Sequence, residues 1–224
     1  MIGEEACSAN LALLDGLDEG TAWIVDPIDG TANFAAGRAP FAKMVALMRK
    51  GELIGSWIYD PLDDRLAVAQ LGVRAWINGE RVFAKPSLPE PGQWHGIVSR
   101  AFLPEAKEGV VDALSAAVGR IDPTVRCAGY EYPLVATGER DLALYWRTLI
   151  WDHAPGALLL SEAGGCVIHL DGARYDPLTP RSGLIVAHDP SVAETLLKLT
   201  RSQQCEPNSW AGVERCRTVT RRCL

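Results

Sequence analysis

The stretch TAWIVDPIDGTANF, residues 21–34, constrains the fold more than any other part of the 224-residue chain. Its apolar first half predicts a β-strand, and Pro27 has no N–H to pair with a neighbour, so we expect the regular strand to end at Asp26. Asp29 follows three residues later, which allows two carboxylates and the Ile28 carbonyl to converge on one point. Hard oxygen ligands of this kind suit Mg²⁺. The sequence therefore predicts a divalent-metal site at a strand end.

The two residues after this carboxylate pair predict an anion site. Gly30 permits a close approach to the backbone, and Thr31 is suited to capping the helical turn that follows. The first N–H groups of a helix lack intrahelical acceptors and lie at the positive end of its dipole, so they attract phosphate. We therefore expect a metal ion and a phosphate group to meet at this turn.

A second acidic pattern lies in WDHAPGALLLSEAGG, residues 151–165. Asp152 is predicted to cap a helix, and Pro155 is tolerated in its first turn because the N–H groups there lack intrahelical partners. Gly164 and Gly165 are predicted to end this helix. The pattern therefore places one more carboxylate at a helix start.

The third acidic pattern is Glu4 and Glu5 in IGEEA, which by itself is compatible with solvated charge. The other two patterns have similar alternatives, because D-x-x-D often marks surface carboxylates in a turn and Asp152 could be a plain helix cap. The four histidines lack the mutual spacing of a metal site, so we predict structural or exposed roles for them. From the residues alone, both interpretations of each acidic pattern stay open.

Turn-forming segments divide the chain into three parts. Between Phe41 and Val82, short apolar runs alternate with turn signals such as RKGE, DPLDD and NGE, which predicts an antiparallel meander. After the proline-rich linker KPSLPEPGQW, strand-like and helix-like segments alternate, which predicts an α/β arrangement. We therefore predict a metal-binding α+β subdomain over residues 1–90, an α/β subdomain over 91–200 and an irregular appended tail over 201–224.

Charge and hydropathy exclude several classes of function. The net charge of -6 provides no basic surface for a nucleic-acid polymer, and a negatively charged protein that handles phosphate esters needs cations. No apolar run approaches membrane-spanning length, and the start MIGEEACSAN lacks the pattern of a secretory signal. The six cysteines are scattered without a CxxC pair. These features predict a cytoplasmic protein with no membrane partner.

The segments GEE, DPIDGTANF and WDHAPGALLLSEAGG, in this order, resemble the signature segments of the inositol monophosphatase family. The resemblance extends over about residues 2–199 and excludes the tail. It implies a layered α-β-α-β-α sandwich, of the α+β or α/β class, that hydrolyses a small phosphorylated metabolite with two or three Mg²⁺ ions. It also implies inhibition by lithium and, for intact family members, a homodimer.

The resemblance assigns metal ligands residue by residue. Glu4, Asp26 and the Ile28 carbonyl would hold the first ion, and Asp26, Asp29 and Asp152 would hold the second. Carboxylates shared between two ions are typical of metal sites that act on phosphate esters.

The same resemblance assigns catalytic and substrate-binding roles. Glu4 and Thr31 would orient a metal-bound water for in-line attack on phosphorus. The N–H groups of Gly30 and Thr31 would hold the phosphoryl oxygens, and Asp152 is carried over as a substrate contact as well. No covalent enzyme intermediate is needed.

Two departures from the family pattern change these expectations. Family members normally place their first helices before the GEE motif, whereas here it starts at Gly3. We expect a truncated or mis-started chain with one apolar sheet face uncovered, which could be an inactive fragment. The family members that act on inositol phosphates have a glutamate where this chain has Tyr145. Sugar bisphosphates, histidinol phosphate and 3'-phosphoadenosine nucleotides therefore stay open as substrates, and the segment RCAGYEYPLVATG could line the substrate pocket or merely begin a helix.

Overall fold

The structure is a computed structural model that describes residues 1–84, 90–179 and 181–202. The first part of the chain forms a seven-stranded sheet. Its strands are β1 (Ile2–Gly3), β2 (Thr21–Asp29), β3 (Ala42–Arg49), β4 (Glu52–Asp60), β5 (Arg65–Gln70), β6 (Arg74–Ile77) and β7 (Glu80–Val82). They lie side by side in chain order, β1 and β2 are parallel, and each later pair is antiparallel. The predicted meander is therefore confirmed.

A five-stranded mixed sheet follows. Its strands are β8 (His95–Val98), β9 (Arg120–Pro123), β10 (Leu142–Tyr145), β11 (Cys166–His169) and β12 (Leu184–Ala187). The spatial order is β11-β12-β10-β8-β9, in which β8 runs parallel to β9 and β10 while β12 is antiparallel to both of its neighbours. The predicted change from a meander to an α/β arrangement is confirmed.

Helices connect and cover these strands. The α-helices are α1 (Glu4–Ala9), α2 (Thr31–Ala35), α3 (Glu108–Ala117), α4 (Ala128–Ala136), α5 (Ile150–Ala163) and α6 (Pro190–Ser202). Short 3-10 helices are Leu11–Leu14, Pro91–Gln93 and Glu105–Lys107. The predicted amphipathic helix PSVAETLLKL forms most of α6, which buries Val192, Ala193 and Leu196 against the second sheet.

The elements stack in layers. Helices α4 and α5 contact both sheets and lie between them, whereas α3 and α6 pack on the other face of the second sheet. The predicted layered architecture is therefore confirmed. On the outer face of the first sheet, apolar side chains stay open to solvent, since Trp23 is 45% exposed and Leu66 is 40% exposed. Among the described residues this sheet face is therefore uncovered, as expected.

A close contact brings the two middle helices together. Gly156 of α5 lies against the ring of the fully buried Tyr132 of α4, where an added Cβ would come within 2.2 Å of the ring. This packing presses α5 onto the inner face of the first sheet, which carries fully buried residues such as Met44 and Ile58. Asp152 lies in the first turn of the same helix.

Some sequence predictions stay predictions. These are the division into subdomains at residue 90 and the irregular structure predicted for the tail. Residues 203–224 of the tail and 85–89 of the linker lie outside the described residues. In the part of the chain that the structure describes, none of the helices has the length and hydropathy that a membrane-spanning helix needs.

Gly156→Ala tests the contact between α4 and α5. We expect a loss of about 1–3 kcal/mol in the free energy of unfolding, because the new methyl group must displace a fully buried ring. Chemical denaturation of both proteins measures this loss. Gly20→Ala is the matched control, since nothing lies within 4 Å of its added Cβ. Equal stabilities of the two variants would contradict this account of the packing.

Candidate metal centre

Three carboxylates meet in a cavity that is lined by residues of both sheets and of α5. Oxygen atoms of Asp26, Asp29 and Asp152 all lie within 4.8 Å of one another. The first two come from β2 and the third from α5, so elements far apart in the chain build the cluster. Asp26 is 1% exposed and Asp29 is 8% exposed. The family resemblance assigned all three to one metal ion, and the structure brings them together.

The backbone of β2 differs from the sequence prediction. The strand does not end at Asp26 but continues to Asp29, so that prediction is wrong. Pairing with β3 resumes at Asp29 opposite Ala42, after an irregularity that accommodates Pro27. The Ile28 N–H donates to Asp26 Oδ1 at 2.9 Å, which fixes this carboxylate. The irregularity lets both carboxylates project inward although they are an odd number of residues apart.

Thr31 does not cap the helix that follows, which corrects a second prediction. Gly30 is the N-cap of α2, at φ 81°, and an added Cβ there would lie 2.9 Å from the Pro40 carbonyl oxygen. The Thr31 hydroxyl instead donates to the Ile28 carbonyl at 2.8 Å. That oxygen keeps a second lone pair, which could serve a metal ion. Gly30 and Thr31 both line the cavity.

Asp152 is not a helix cap either. Leu149 is the N-cap of α5, and Asp152 is the third helical residue, so its carboxylate faces the other two rather than the backbone N–H groups. Pro155 lies beyond the first turn, which contradicts the position predicted for it. The helix ends at Gly164, at φ 103°, as predicted. Tertiary packing therefore decides where this helix begins.

Glu4 lines the same cavity but stands outside the close group of three. It directly follows β1, whose register sets Gly3 beside Val25 and so brings Glu4 near Asp26. Burial raises its pKa, and the neighbouring Glu5 raises it further. The structure therefore places Glu4 where it could contribute to a metal site.

Burial dominates the electrostatics of the cluster. It raises the pKa of Asp26, Asp29 and Asp152 to about 7 each, and repulsion among these carboxylates adds to the effect. The N–H of Gly129 donates to Asp29 Oδ2 at 2.6 Å and opposes the rise. Three crowded carboxylates that resist ionisation form a favourable site for a divalent cation, because such a cation compensates their charge.

His153 takes no part in the cluster although it follows Asp152. Burial lowers its pKa to about 4, so the ring is neutral. Its Nε2 lies 2.9 Å from the Arg147 carbonyl, which can only accept, so Nε2 carries the proton and Nδ1 accepts from the Tyr132 hydroxyl at 3.1 Å. The predicted structural role of this histidine is confirmed.

The sequence analysis missed a buried carboxylate behind the cavity wall. Glu131 is 1% exposed, and its Oε1 accepts bonds from the Thr124 hydroxyl and the Val125 N–H, both at 2.7 Å. Its Oε2 accepts from the Tyr145 hydroxyl at 2.5 Å. Tyr145 therefore offers the cavity a ring rather than the carboxylate expected of an inositol phosphate site. Glu131 belongs to RCAGYEYPLVATG, the segment that the sequence analysis named as a possible pocket lining, and this position could have indicated it. From this segment Arg126, Cys127 and Ala128 line the cavity.

A cationic side chain also borders the cavity. The Arg147 guanidinium lies 4.1 Å from the ring centroid of Phe102, and its charge opposes the rise in the pKa of both Glu4 and Asp152. The cavity has a volume of about 280 Å³. Its lining therefore combines carboxylates, which suit metal ions, with the positive charge of Arg147.

A protein-family model described as the inositol monophosphatase family matches residues 1–204. The chain belongs to this family. It is therefore a member of a family of phosphoric monoester hydrolases, and its acidic cluster falls on the segments that carried the sequence resemblance. The match includes all of the described residues.

Individual relatives agree with this membership. The chain is 32% identical over 201 residues to an inositol-1-monophosphatase of Mesorhizobium japonicum, covering 84% of this chain and 70% of the relative. It is 31% identical over 198 residues to the Nus factor SuhB of Escherichia coli K12, covering 85% and 71%. A solved IMPase/NADP phosphatase complexed with NADP and Ca²⁺ superposes with a TM-score of 0.76 at 25% identity, covering 88% and 73%. The inositol-monophosphatase-like fold is thus shown.

The pKa shifts predict how stability depends on pH. In the metal-free protein the three aspartates have a folded pKa of about 7, well above the unfolded value. Their contribution to the free energy of unfolding is therefore fully present below about pH 4 and is lost as pH rises through about 7. We expect denaturation in EDTA to show this fall, and Mg²⁺ to raise the melting temperature more at pH 8 than at pH 5.

Asp29→Asn supplies the matched control, because an amide does not titrate. Its stability should fall less steeply between pH 4 and pH 8 than that of the unmodified chain. Identical slopes, or a Mg²⁺ effect that does not depend on pH, would contradict the assignment of these carboxylates to one metal site.

Proposed function

We propose that this chain hydrolyses a small phosphate monoester with Mg²⁺ held by Glu4, Asp26, the Ile28 carbonyl, Asp29 and Asp152. The observation that carries the proposal is the group of three carboxylates, two buried and one half-buried, that lie within 4.8 Å of one another and line one cavity. Carboxylate and carbonyl oxygens are the donors that Mg²⁺ prefers, and burial without a cation would leave the carboxylates uncompensated. Two or three ions fit this donor set by analogy with the family.

The bound metal would supply a water of lowered pKa and would offset the charge of the phosphate group. The Glu4 carboxylate would accept a proton from the attacking water, and burial supports this role by raising its pKa. The Thr31 hydroxyl donates its own proton to Ile28, so its oxygen is left to accept a hydrogen bond from the same water. Together these groups would hold the water in line with the bond to be broken.

The phosphoryl group would bind at the start of α2. The N–H groups of Gly30 and Thr31 are at the first positions of this short helix and have no intrahelical acceptors. Gly30 and Thr31 line the cavity next to the carboxylates. They would stabilise the charge on the phosphoryl oxygens, and Asp152 would contact the ester as well as the metal.

A substrate panel tests the reaction and its specificity. We expect Mg²⁺-dependent phosphate release by the purified chain from at least one of inositol 1-phosphate, fructose 1,6-bisphosphate, histidinol phosphate and 3'-phosphoadenosine 5'-phosphate. Lithium should inhibit this release by analogy with the family. If the folded chain released no phosphate from any of them, the alternative of an inactive fragment would replace the proposal. The predicted homodimer is open to measurement on the same sample by light scattering.

Asp29→Asn should lower kcat by more than about 100-fold, since even residues that only support metal ligands typically contribute 10–100-fold. The fold should persist, because the amide oxygen can still accept the Gly129 N–H. Phosphate release and circular dichroism measure the two effects. Asp63→Asn is the matched control, since Asp63 is exposed in the turn between β4 and β5. Similar rates for both variants would exclude Asp29 from the site.

A further inference from the structure

Arg147 is a charged residue of the cavity that has no role in the reaction as proposed so far. It lies two residues beyond the end of β10, it is exposed, and it lines the cavity together with the carboxylates. Among the described residues, no carboxylate forms a salt bridge with its guanidinium, whereas Arg100 and Arg181 each have an aspartate partner. A guanidinium without an ion partner can bind an anion through two parallel N–H groups.

The backbone at Arg147 is fixed relative to the metal cluster. Its carbonyl accepts the Nε2 proton of the buried His153 at 2.9 Å, and His153 is the residue next to Asp152 on α5. The preceding carbonyl, that of Trp146, accepts the Gly183 N–H at 3.2 Å. The start of the Arg147 side chain is therefore held at a set place beside the carboxylates.

The guanidinium is held by an aromatic ring on a neighbouring turn. It lies 4.1 Å from the ring centroid of Phe102, which is 60% exposed and has φ 60°, a backbone region that is unfavourable for a side chain of this size. The Trp146 indole N–H donates to the Ser99 carbonyl at 2.7 Å, and the Ser99 hydroxyl oxygen accepts the Ala101 N–H at 3.2 Å. Strain of this kind persists only where the surroundings hold it, and it is concentrated at functional sites.

The charge of Arg147 reaches two carboxylates on different elements. It opposes the rise in the pKa of Glu4 in α1 and of Asp152 in α5. Interactions between charges at a solvent-exposed site fall off steeply with distance, so the guanidinium lies near both carboxylates. These are the residues to which the proposed function assigns the attacking water and the ester. The positive charge therefore acts where the phosphoryl group would bind.

A phosphate ester in this cavity needs positive charge from several directions. Four carboxylates line the cavity and would repel the ester, namely Glu4, Asp26, Asp29 and Asp152. The N–H groups at the start of α2 provide partial charges, whereas Arg147 provides a full one. Negative charge spreads over the phosphoryl oxygens as the ester bond breaks, so a donor in addition to the helix N–H groups stabilises that state.

We propose that Arg147 is a further catalytic residue, whose guanidinium binds a phosphoryl oxygen of the ester and stabilises its charge during hydrolysis. The inference rests on the proposed function. In the reaction, the water oxygen forms a bond to phosphorus, the bond from phosphorus to the ester oxygen breaks, and that oxygen takes up a proton. The products are inorganic phosphate and an alcohol. Arg147 keeps its proton throughout and contributes hydrogen bonds and charge only.

Arg147→Gln tests this role in turnover. We expect kcat/KM to fall by about 100-fold, as it does when one donor to a reacting oxyanion is removed, and guanidinium chloride at millimolar concentration to restore part of the loss. Arg100→Gln is the matched control, because Arg100 is exposed, pairs with Asp112 at 3.5 Å and does not line the cavity. Equal rates for the two variants would overturn the inference. A loss found only in Arg126→Gln, which removes another arginine of the cavity, would overturn it as well.

Binding measurements separate this role from simple compensation of the carboxylates. A guanidinium that only compensates the carboxylates competes with a cation, so its removal would raise the affinity for Mg²⁺ and leave the affinity for phosphate unchanged. We expect calorimetry in saturating Mg²⁺ to show inorganic phosphate binding about tenfold more weakly to Arg147→Gln than to the unmodified chain, and Arg147→Lys to lie between them. Unchanged phosphate affinity in Arg147→Gln would overturn the inference.

The same titration separates failure of this inference from failure of the reaction. If the unmodified chain released phosphate from no ester, the proposed hydrolysis would fail, and binding of inorganic phosphate in Mg²⁺ would still test the contact with Arg147. Binding that is about tenfold weaker in Arg147→Gln than in Arg100→Gln supports the contact. Absence of phosphate binding, or equal binding by both variants, contradicts it.

Discussion

Mutual repulsion among three crowded carboxylates, two of them buried and one half-buried, is the constraint on which the rest of the site depends. Asp26, Asp29 and Asp152 lie within 4.8 Å of one another, and burial and repulsion together raise the pKa of each to about 7. Left to itself, such a group would separate or stay protonated. It persists because β2 and α5 are each fixed by extensive packing of their own. A divalent cation is the natural counterpart of this arrangement.

The packing that fixes the cluster lies away from it. Gly156 lets α5 approach Tyr132 closely, and the buried faces of β2 and β3 hold the other side of the site. The parallel pairing of β1 with β2 adds Glu4 to the same cavity. The free energy of apolar burial thus offsets the cost of removing these carboxylates from water.

A second buried acid, Glu131, orients residues that line the cavity. Glu131 is bound by three donors, including the Tyr145 hydroxyl, so its charge is dispersed among hydrogen bonds rather than offered to a ligand. The aspartate cluster and Glu131 therefore differ in how the protein compensates their charge. The metal cluster has few donors of its own, whereas Glu131 is satisfied by the protein and positions other residues.

Local patterns determined much of this protein. The alternation of apolar and turn residues was sufficient for the meander, and the glycine pair for the end of α5, because each depends on neighbours in sequence. The D-x-x-D spacing by itself only placed two carboxylates close together in the chain. The resemblance added Glu4 and Asp152, which spacing alone left open. Family membership and the layered fold then agree with it.

Only the tertiary structure decided the remaining features. Pairing with β3 carries β2 past Pro27 to Asp29, and packing of α5 moves its start to Ile150, so that Asp152 faces the cluster instead of capping the helix. The bond between Glu131 and Tyr145 joins residues on different elements. Sequence specifies which groups can ionise, pair or cap, whereas contacts between distant segments select among those options, because burial and geometry arise only when the sheets and helices pack together.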